Sequence, residues 1–482
     1  MYRKIMAVLL AAVTVISLCA CSSQAPAATE AGKETVAATE AAKETPAATK
    51  AAAADKKEIE EVYVYSGNGN AKTWYEEKVA DWNNTIGVEK GIRIKWETNI
   101  ESFTDALNMM FEAGTGPDIT MSPKPNMILN GYIRPLDDNP YIKEVWDLYS
   151  PYSINGQNVF NGKTYSFVTD VYPIKLAINA DIFRECGLVD ASGNVTPPKT
   201  LDEMVEYAKI ITEKGNGEYY GIGYCAPFDV SGERLMFQPY IASTGKGWFD
   251  NAAGKYDFEP FRPVLEAYKQ MFDDGSVFPG WETIGIDPIR AQFSEGHIGM
   301  YPAPSYDIGV YNDQFPAKCD WMIVDPPQLT ENPEYYYDGW AGNGFCITSA
   351  VTDERLEAVS EVFNFLQGKE MYAEMYAIGA TIPVSPEIID YAKANFELVD
   401  KKNWDTMGDI TNYRVHGLWP DWSLLIEGDA YQVAFEKVVA GELTIDEMIS
   451  QCNDRYNEAY QIAVEDGTVV DADYHYDINI KK

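Results

Sequence analysis

Residues 62–121 read VYVYSGNGNAKTWYEEKVADWNNTIGVEKGIRIKWETNIESFTDALNMMFEAGTGPDITM. Val62-Tyr63-Val64-Tyr65 is β-rich and apolar, and Ser66-Gly67-Asn68-Gly69-Asn70 breaks it. The next stretch predicts a helix from Thr73 to Asn84, with Trp74, Lys78 and Trp82 at helical spacing. Ile92 to Trp96 alternates with period two, as a strand does. A second helix carries Phe103, Leu107 and Met110 and ends at Gly114-Thr115-Gly116-Pro117. A short strand from Asp118 to Met121 runs into Ser122-Pro123. Strand, helix, strand, helix, strand means parallel βα units, so the fold class is α/β. In such sheets small ligands sit in the crevice beyond the carboxyl ends of the strands.

Upstream, the chain reads as an address and a spacer. Arg3 and Lys4 precede an apolar run from Ile5 to Leu18, too short to span a bilayer comfortably and built like a signal peptide. It ends in Leu18-Cys19-Ala20-Cys21, which resembles the lipobox of bacterial lipoproteins and implies a lipid anchor on Cys21. Several acyl chains on one residue give the durable anchoring a single chain does not. Residues 22–57 are low in complexity: AATEAGKETV at 27–36 is followed by AATEAAKETP at 37–46. Without aromatic residues this segment cannot bury a core, and as a coil of about 34 residues it spans roughly 30 Å.

Downstream of residue 121, helix signals recur. Thr200-x-x-Glu203 and Thr444-x-x-Glu447 are capping boxes, and Leu356, Val359, Phe363 and Leu366 form an apolar stripe that stops at Gly368. A hydrophobic share of 46% over 482 residues suffices for large cores. A formal charge of −36 repels nucleic-acid phosphates and anionic head groups, excluding a nucleic-acid partner and disfavouring an anionic ligand unless a positive pocket overrides it. Beyond Cys19 and Cys21, five cysteines remain, none in a C-x-x-C pair. They are expected to be mostly buried small hydrophobes, with room for one disulfide of unspecified pairing.

Several short stretches, in order, carry a family resemblance: FEAGTGPDI at 111–119, GYIRPLD at 131–137, GKTY at 162–165 followed by LAIN at 176–179, FSEGHIGM at 293–300 and GWAGNG at 339–344. Together, behind a lipobox and a tether, they resemble the extracellular solute-binding proteins (family 1) of sugar ABC transporters, the maltodextrin-binding type. The resemblance covers nearly all of the chain from Val62 onward. It implies a two-lobe periplasmic-binding-protein fold (type II), with the ligand cleft between lobes joined by several chain crossings. On that pattern residues 58–170 and 329–390 belong to the first lobe, 171–328 to the second, and 391–482 are C-terminal helices mainly of the second. It also implies a monomer held at the outer face of the cell membrane, a carbohydrate ligand and permease subunits as partners, with ATP hydrolysed in other subunits.

A neutral sugar offers hydroxyls to polar side chains and flat C–H faces to aromatic rings. The expected ligand-binding residues are therefore Asn68, Asn70 and Ser122 after strands of the first lobe, and Asp170 and Tyr172 at the first crossing. Trp248, Tyr301, Tyr306, Trp340 and Asn343 follow, in glycine- or proline-rich loops. Tyr306 falls where many relatives have a cleft Trp. Arg414 and Trp422 lie in a second aromatic cluster, which either lines the cleft or braces the last helices. For Asn68, Asn70 and Ser122 the competing role is turn shaping.

Catalytic signatures are missing. The sequence has three histidines, no H-E-x-x-H, no Cys/His ligand cluster and no G-x-S-x-G elbow. Gly67 to Thr73 looks superficially like a phosphate loop but lacks the glycine before its lysine. No cofactor, metal or enzymatic activity is expected. Two alternatives stand beside import: a secreted glycoside hydrolase, which needs only two carboxylates, and a binding lipoprotein that serves a sensor.

Overall fold

In the computed structural model, residues 59–67, 71–99, 102–226, 235–241, 244–416 and 419–475 are described. Asn68, Asn70, Cys21 and the tether lie outside them, as do the side chains of His416, Asp421 and Trp422. In chain order the strands are β1 (Glu60–Ser66), β2 (Ile92–Thr98), β3 (Ile119–Met121), β4 (Val159–Phe160), β5 (Lys163–Thr164), β6 (Val168–Asn179) and β7 (Tyr220–Ile222). Then come β8 (Phe249–Asp250), β9 (Lys255–Tyr256), β10 (Ile298–Pro304), β11 (Trp321–Val324), β12 (Tyr337–Asn343), β13 (Phe345–Ile347) and β14 (Tyr413–His416).

The opening stretch folds as its pattern dictates. β1 pairs in parallel with both β2 and β3, and β13 closes the sheet antiparallel to β3, giving the order β13-β3-β1-β2. The helix Lys72–Asn84 buries Tyr75, Val79 and Trp82. That face lies one position round from the expected Trp74-Lys78-Trp82 stripe. Trp74 and Lys78 instead reach the Glu374 carboxylate, at 3.2 and 2.6 Å, because both carry a polar end that burial would strand. Asp118 earns its place before β3 by accepting the Tyr63 N–H at 2.9 Å and pairing with Arg355, at the head of the helix Leu356–Gln367.

The second sheet runs β14-β12-β6-β10-β7, with β11 also on β6. β6 is its axis. Residues 168–173 pair with β12, and residues 174–179 pair with β10 and β11. β12 leads through Gly344 directly into β13, so the chain passes from the second sheet to the first. A third segment joins here: Val171 N–H donates to Ile382 O, and Val384 N–H to Thr169 O, both near 3 Å. Three crossing segments therefore pack side by side between two α/β lobes.

Both capping boxes form with their reciprocal bonds, opening the helices Leu201–Gly215 and Ile445–Asp466. Cys186, Cys225, Cys319, Cys346 and Cys452 are free thiols, three of them buried. Among the described residues no helix is long and apolar enough to cross a membrane.

At the crossings the backbones approach too closely for a side chain. A Cβ on Gly342 would lie 2.2 Å from Asp170 Oδ1, whereas one on Gly285 would meet nothing nearer than 3.6 Å. Gly342→Ala is expected to cost about 1–3 kcal/mol through overpacking. Gly285→Ala, at an ordinary helix-flanking position, should stay within about 0.5 kcal/mol of the parent. Urea unfolding of both variants checks this, and equal stabilities would show that the crossing relaxes freely.

Candidate functional site

The carboxyl end of β3 with the loop after it, and the β6 and β12 crossings, line a cavity of about 230 Å³. Four expected residues meet in its wall: Ser122 after β3, Asp170 and Tyr172 on β6, and Asn343 at the end of β12. Tyr75, from the first helix, and Tyr372 complete an aromatic rim. Tyr75 and Tyr372 give no sequence signal for this role. Each sits on a helical stripe that reads as core, and only packing of the helices against the crossing exposes one edge of the ring.

Asp170 is the chemical centre of this cavity. Its side chain is 7% exposed. Oδ1 accepts from Thr169 Oγ1 at 2.9 Å and Oδ2 from Thr381 Oγ1 at 3.0 Å, and the Tyr172 hydroxyl lies beside the same carboxylate. Burial pushes the Asp170 carboxyl above its ordinary range, and the three hydroxyls pull it back by favouring the ionised form. Hydrogen bonds to a charged group contribute roughly 1.5–3 kcal/mol each, enough to offset much of the burial cost. Thr169 in turn accepts from the Tyr372 hydroxyl at 2.9 Å.

Ser122 has a left-handed φ of 47°. Its hydroxyl donates to Asn343 O at 3.0 Å, and its N–H to Gly344 O at 3.1 Å. It therefore ties the end of β3 to the second crossing. Asn343 directs Nδ2 toward Gln157 O, and its buried Oδ1 has no hydrogen-bond partner.

Tyr306 is half-buried and stands next to this group, its ring centroid 6.4 Å from that of Tyr172. Beneath Tyr306 the Arg290 guanidinium lies 5.4 Å from the ring and pairs with Asp307 at 2.6 Å. Trp340 is opposite Tyr172 across the β6–β12 ladder but only 4% exposed, edge-on to Trp419.

Trp248 and Tyr301 are placed elsewhere. Trp248 is 1% exposed and packs among Phe258, Phe261, Trp419 and Tyr431 in the second lobe's core. A Cβ on Gly247 would sit 2.3 Å from the Trp419 ring, so this glycine lets the two indoles close over the backbone. Tyr301 is wholly buried on β10. A loop-like glycine or proline context does not distinguish such inward aromatics from exposed ones.

Arg414 pairs with the buried Asp338, which also accepts from Gln238. It borders a larger hollow of about 1000 Å³ walled by Tyr376, Ile389, Asp405 and Tyr413. Size favours that hollow, but the smaller cavity gathers the polar groups of both β6 and β12, so we assign the site there. Among the described residues no group of three or more His, Cys, Asp or Glu is arranged to hold a metal.

The fold and this cleft agree with what comparison shows. The pattern of the bacterial extracellular solute-binding protein family matches residues 83–402, and the chain belongs to that family. A binding protein of Brucella abortus (strain 2308) is 22% identical over 399 residues, covering 76% of this chain and 90% of the relative. The polygalacturonan/rhamnogalacturonan-binding protein YtcQ of Bacillus subtilis (strain 168) is 24% identical over 295 residues, 56% of each chain. The crystal structure of the cyclic α-maltosyl-1,6-maltose binding protein from Arthrobacter globiformis superposes with a TM-score of 0.64 at 15% identity, covering 83% of this chain and 99% of that one. The two-lobe architecture is thus shared.

The pair beneath Tyr306 is open to test. Burial pushes Asp307 up to about 7, against the pull of Arg290. In Arg290→Met burial and the nearby Asp287 charge remain, both raising, so the folded state holds the Asp307 proton more tightly still. A carboxyl whose folded pKa exceeds its unfolded value costs nothing at acid pH and destabilises increasingly as pH rises. The pH-dependent loss in Arg290→Met should be absent near pH 4, open as pH passes 7 and reach about 1–1.5 kcal/mol near pH 8. Adding Asp307→Leu should remove the pH dependence. A loss independent of pH would count against an uncompensated carboxylate.

Proposed function

We propose that this solute-binding protein captures a carbohydrate, an oligosaccharide, outside the cytoplasm and delivers it unaltered to an ABC-type importer. The observation that carries the reading is the cavity at the crossings, where Tyr75, Tyr172 and Tyr372 surround the polar groups of Asp170 and Asn343. Half-buried Tyr172 offers a ring to sugar C–H groups and Tyr75 and Tyr372 an edge, while the polar atoms exchange hydrogen bonds with hydroxyls. The names of two relatives, one binding a cyclic maltosyl-maltose and one pectic polymers, support a glycan. At about 230 Å³ the cavity is smaller than the roughly 300–1,000 Å³ of typical small-molecule sites. It seats one ring of a longer chain, and the remainder extends along the cleft toward Tyr306.

Because the wall is built from the crossings themselves, a ligand there touches the segments that bend when the lobes move. Contacts made to both lobes favour the closed state, and the importer reads that population. A glycosidase needs a second carboxylate within about 5–10 Å of the first. Asp170 is the sole carboxylate among the described lining residues, which supports binding without hydrolysis. The lipobox and tether support an anchor on Cys21 that holds a monomer at the outer face of the membrane.

Thermal shift against mono- and oligosaccharides, followed by calorimetry and chromatography of each hit, tests this. The expected result is saturable stabilisation by one glycan class recovered intact. Tyr172→Ala should weaken that binding at least tenfold. Cleaved product would transfer the chain to the hydrolases, and a flat response would remove carbohydrate altogether. For the anchor, Cys21→Ser should abolish incorporation of labelled fatty acid and release the protein into the medium.

A further inference from the structure

We infer that the cavity at the crossings selects an uncharged, hydroxyl-bearing sugar over an acidic one, and that Asp170 makes the selection. This rests on the carbohydrate reading and narrows it. Solute-binding proteins of this fold accept cargo of either kind, as the maltosyl-maltose and polygalacturonan proteins show by name. The difference must therefore lie in side chains.

Asp170 brings a negative charge to the cavity wall with its neutral partners only. Every partner described above is a hydroxyl, and among the described residues no Lys, Arg or His forms an ion pair with it. Lys124 is the cation among the lining residues, and it is solvent-exposed and has contacts of its own. Water and salt screen such a charge far more than a buried one. The remaining polar groups of the wall, Ser122, Gln157 and Asn343 among them, are neutral. The positive pocket that an acidic ligand would require against a chain charge of −36 is not built here.

The hydrogen-bond inventory points the same way. A carboxylate offers about four acceptor sites and no donor. Thr169 and Thr381 occupy two, and the Tyr172 hydroxyl lies beside the same carboxylate. What the remaining capacity needs is an O–H donor. A sugar hydroxyl supplies that. A uronate carboxylate supplies only lone pairs and a like charge in a poorly hydrated place.

The test uses the purified full chain and matched oligomers of galactose and galacturonic acid, and of glucose and glucuronic acid. Calorimetry should show the neutral member of the series that binds to be at least tenfold tighter than its uronic counterpart. Asp170→Asn should narrow the neutral-to-uronic ratio at least fivefold, chiefly by strengthening the uronate. Thr381→Val, which removes a donor but no charge, should keep the ratio, and thermal unfolding confirms that both variants fold. A uronate that binds as tightly as the neutral sugar, or a ratio unmoved in Asp170→Asn, overturns the selection while leaving carbohydrate capture intact. Failure of every series to bind would instead sink the carbohydrate reading, and the selection with it.

Discussion

Asp170 and Gly342 face each other across the β6–β12 ladder, and the rest of the molecule is arranged around that contact. The glycine leaves just enough room for a carboxylate, whose Oδ1 would be 2.2 Å from any Cβ placed there. Thr381, on the third segment, donates to the same carboxylate. One buried side chain thus touches all three passages between the lobes. Because a buried carboxylate must keep its hydrogen bonds, these strands stay in register where the lobes move.

The cavity wall draws on β6 and β12 themselves, together with the loop after β3 and Gly156–Gln157. On the proposed reading, a ligand that bonds Asp170 or stacks on Tyr172 acts directly on a segment that crosses between the lobes. Tyr306 extends the surface from the second lobe, and the Arg290–Asp307 pair beneath it fixes the ring by cation–π contact. On the proposed reading, a ligand that reaches from the cavity to Tyr306 would touch both lobes, the condition for it to favour closure.

The second lobe spends its aromatic residues differently. Trp248, Trp419, Tyr431, Phe258 and Phe261 form a continuous cluster against the C-terminal helices. These rings stiffen the body that carries Tyr306. An abundance of Trp and Tyr in the composition is thus divided between a ligand surface and a core, and only the first share bears on recognition.

The sequence by itself determined the parallel βα order of residues 60–121, the two capping boxes and the stripe ending at Gly368. Each of these depends on spacing within a dozen residues, where periodicity and turn chemistry act locally. It also placed Ser122 after a strand of the first sheet, and the family resemblance placed Asp170 and Tyr172 at a crossing and Asn343 in a glycine-rich segment. Only the tertiary structure decided that Trp248 and Tyr301 turn inward, that Tyr75 and Tyr372 lend an edge to the cavity, and that Asp170 is held by hydroxyls without a cation. Thr381 lies 211 positions from Asp170 in the chain. Contacts of that range follow from how whole lobes pack, and no local pattern of residues encodes them.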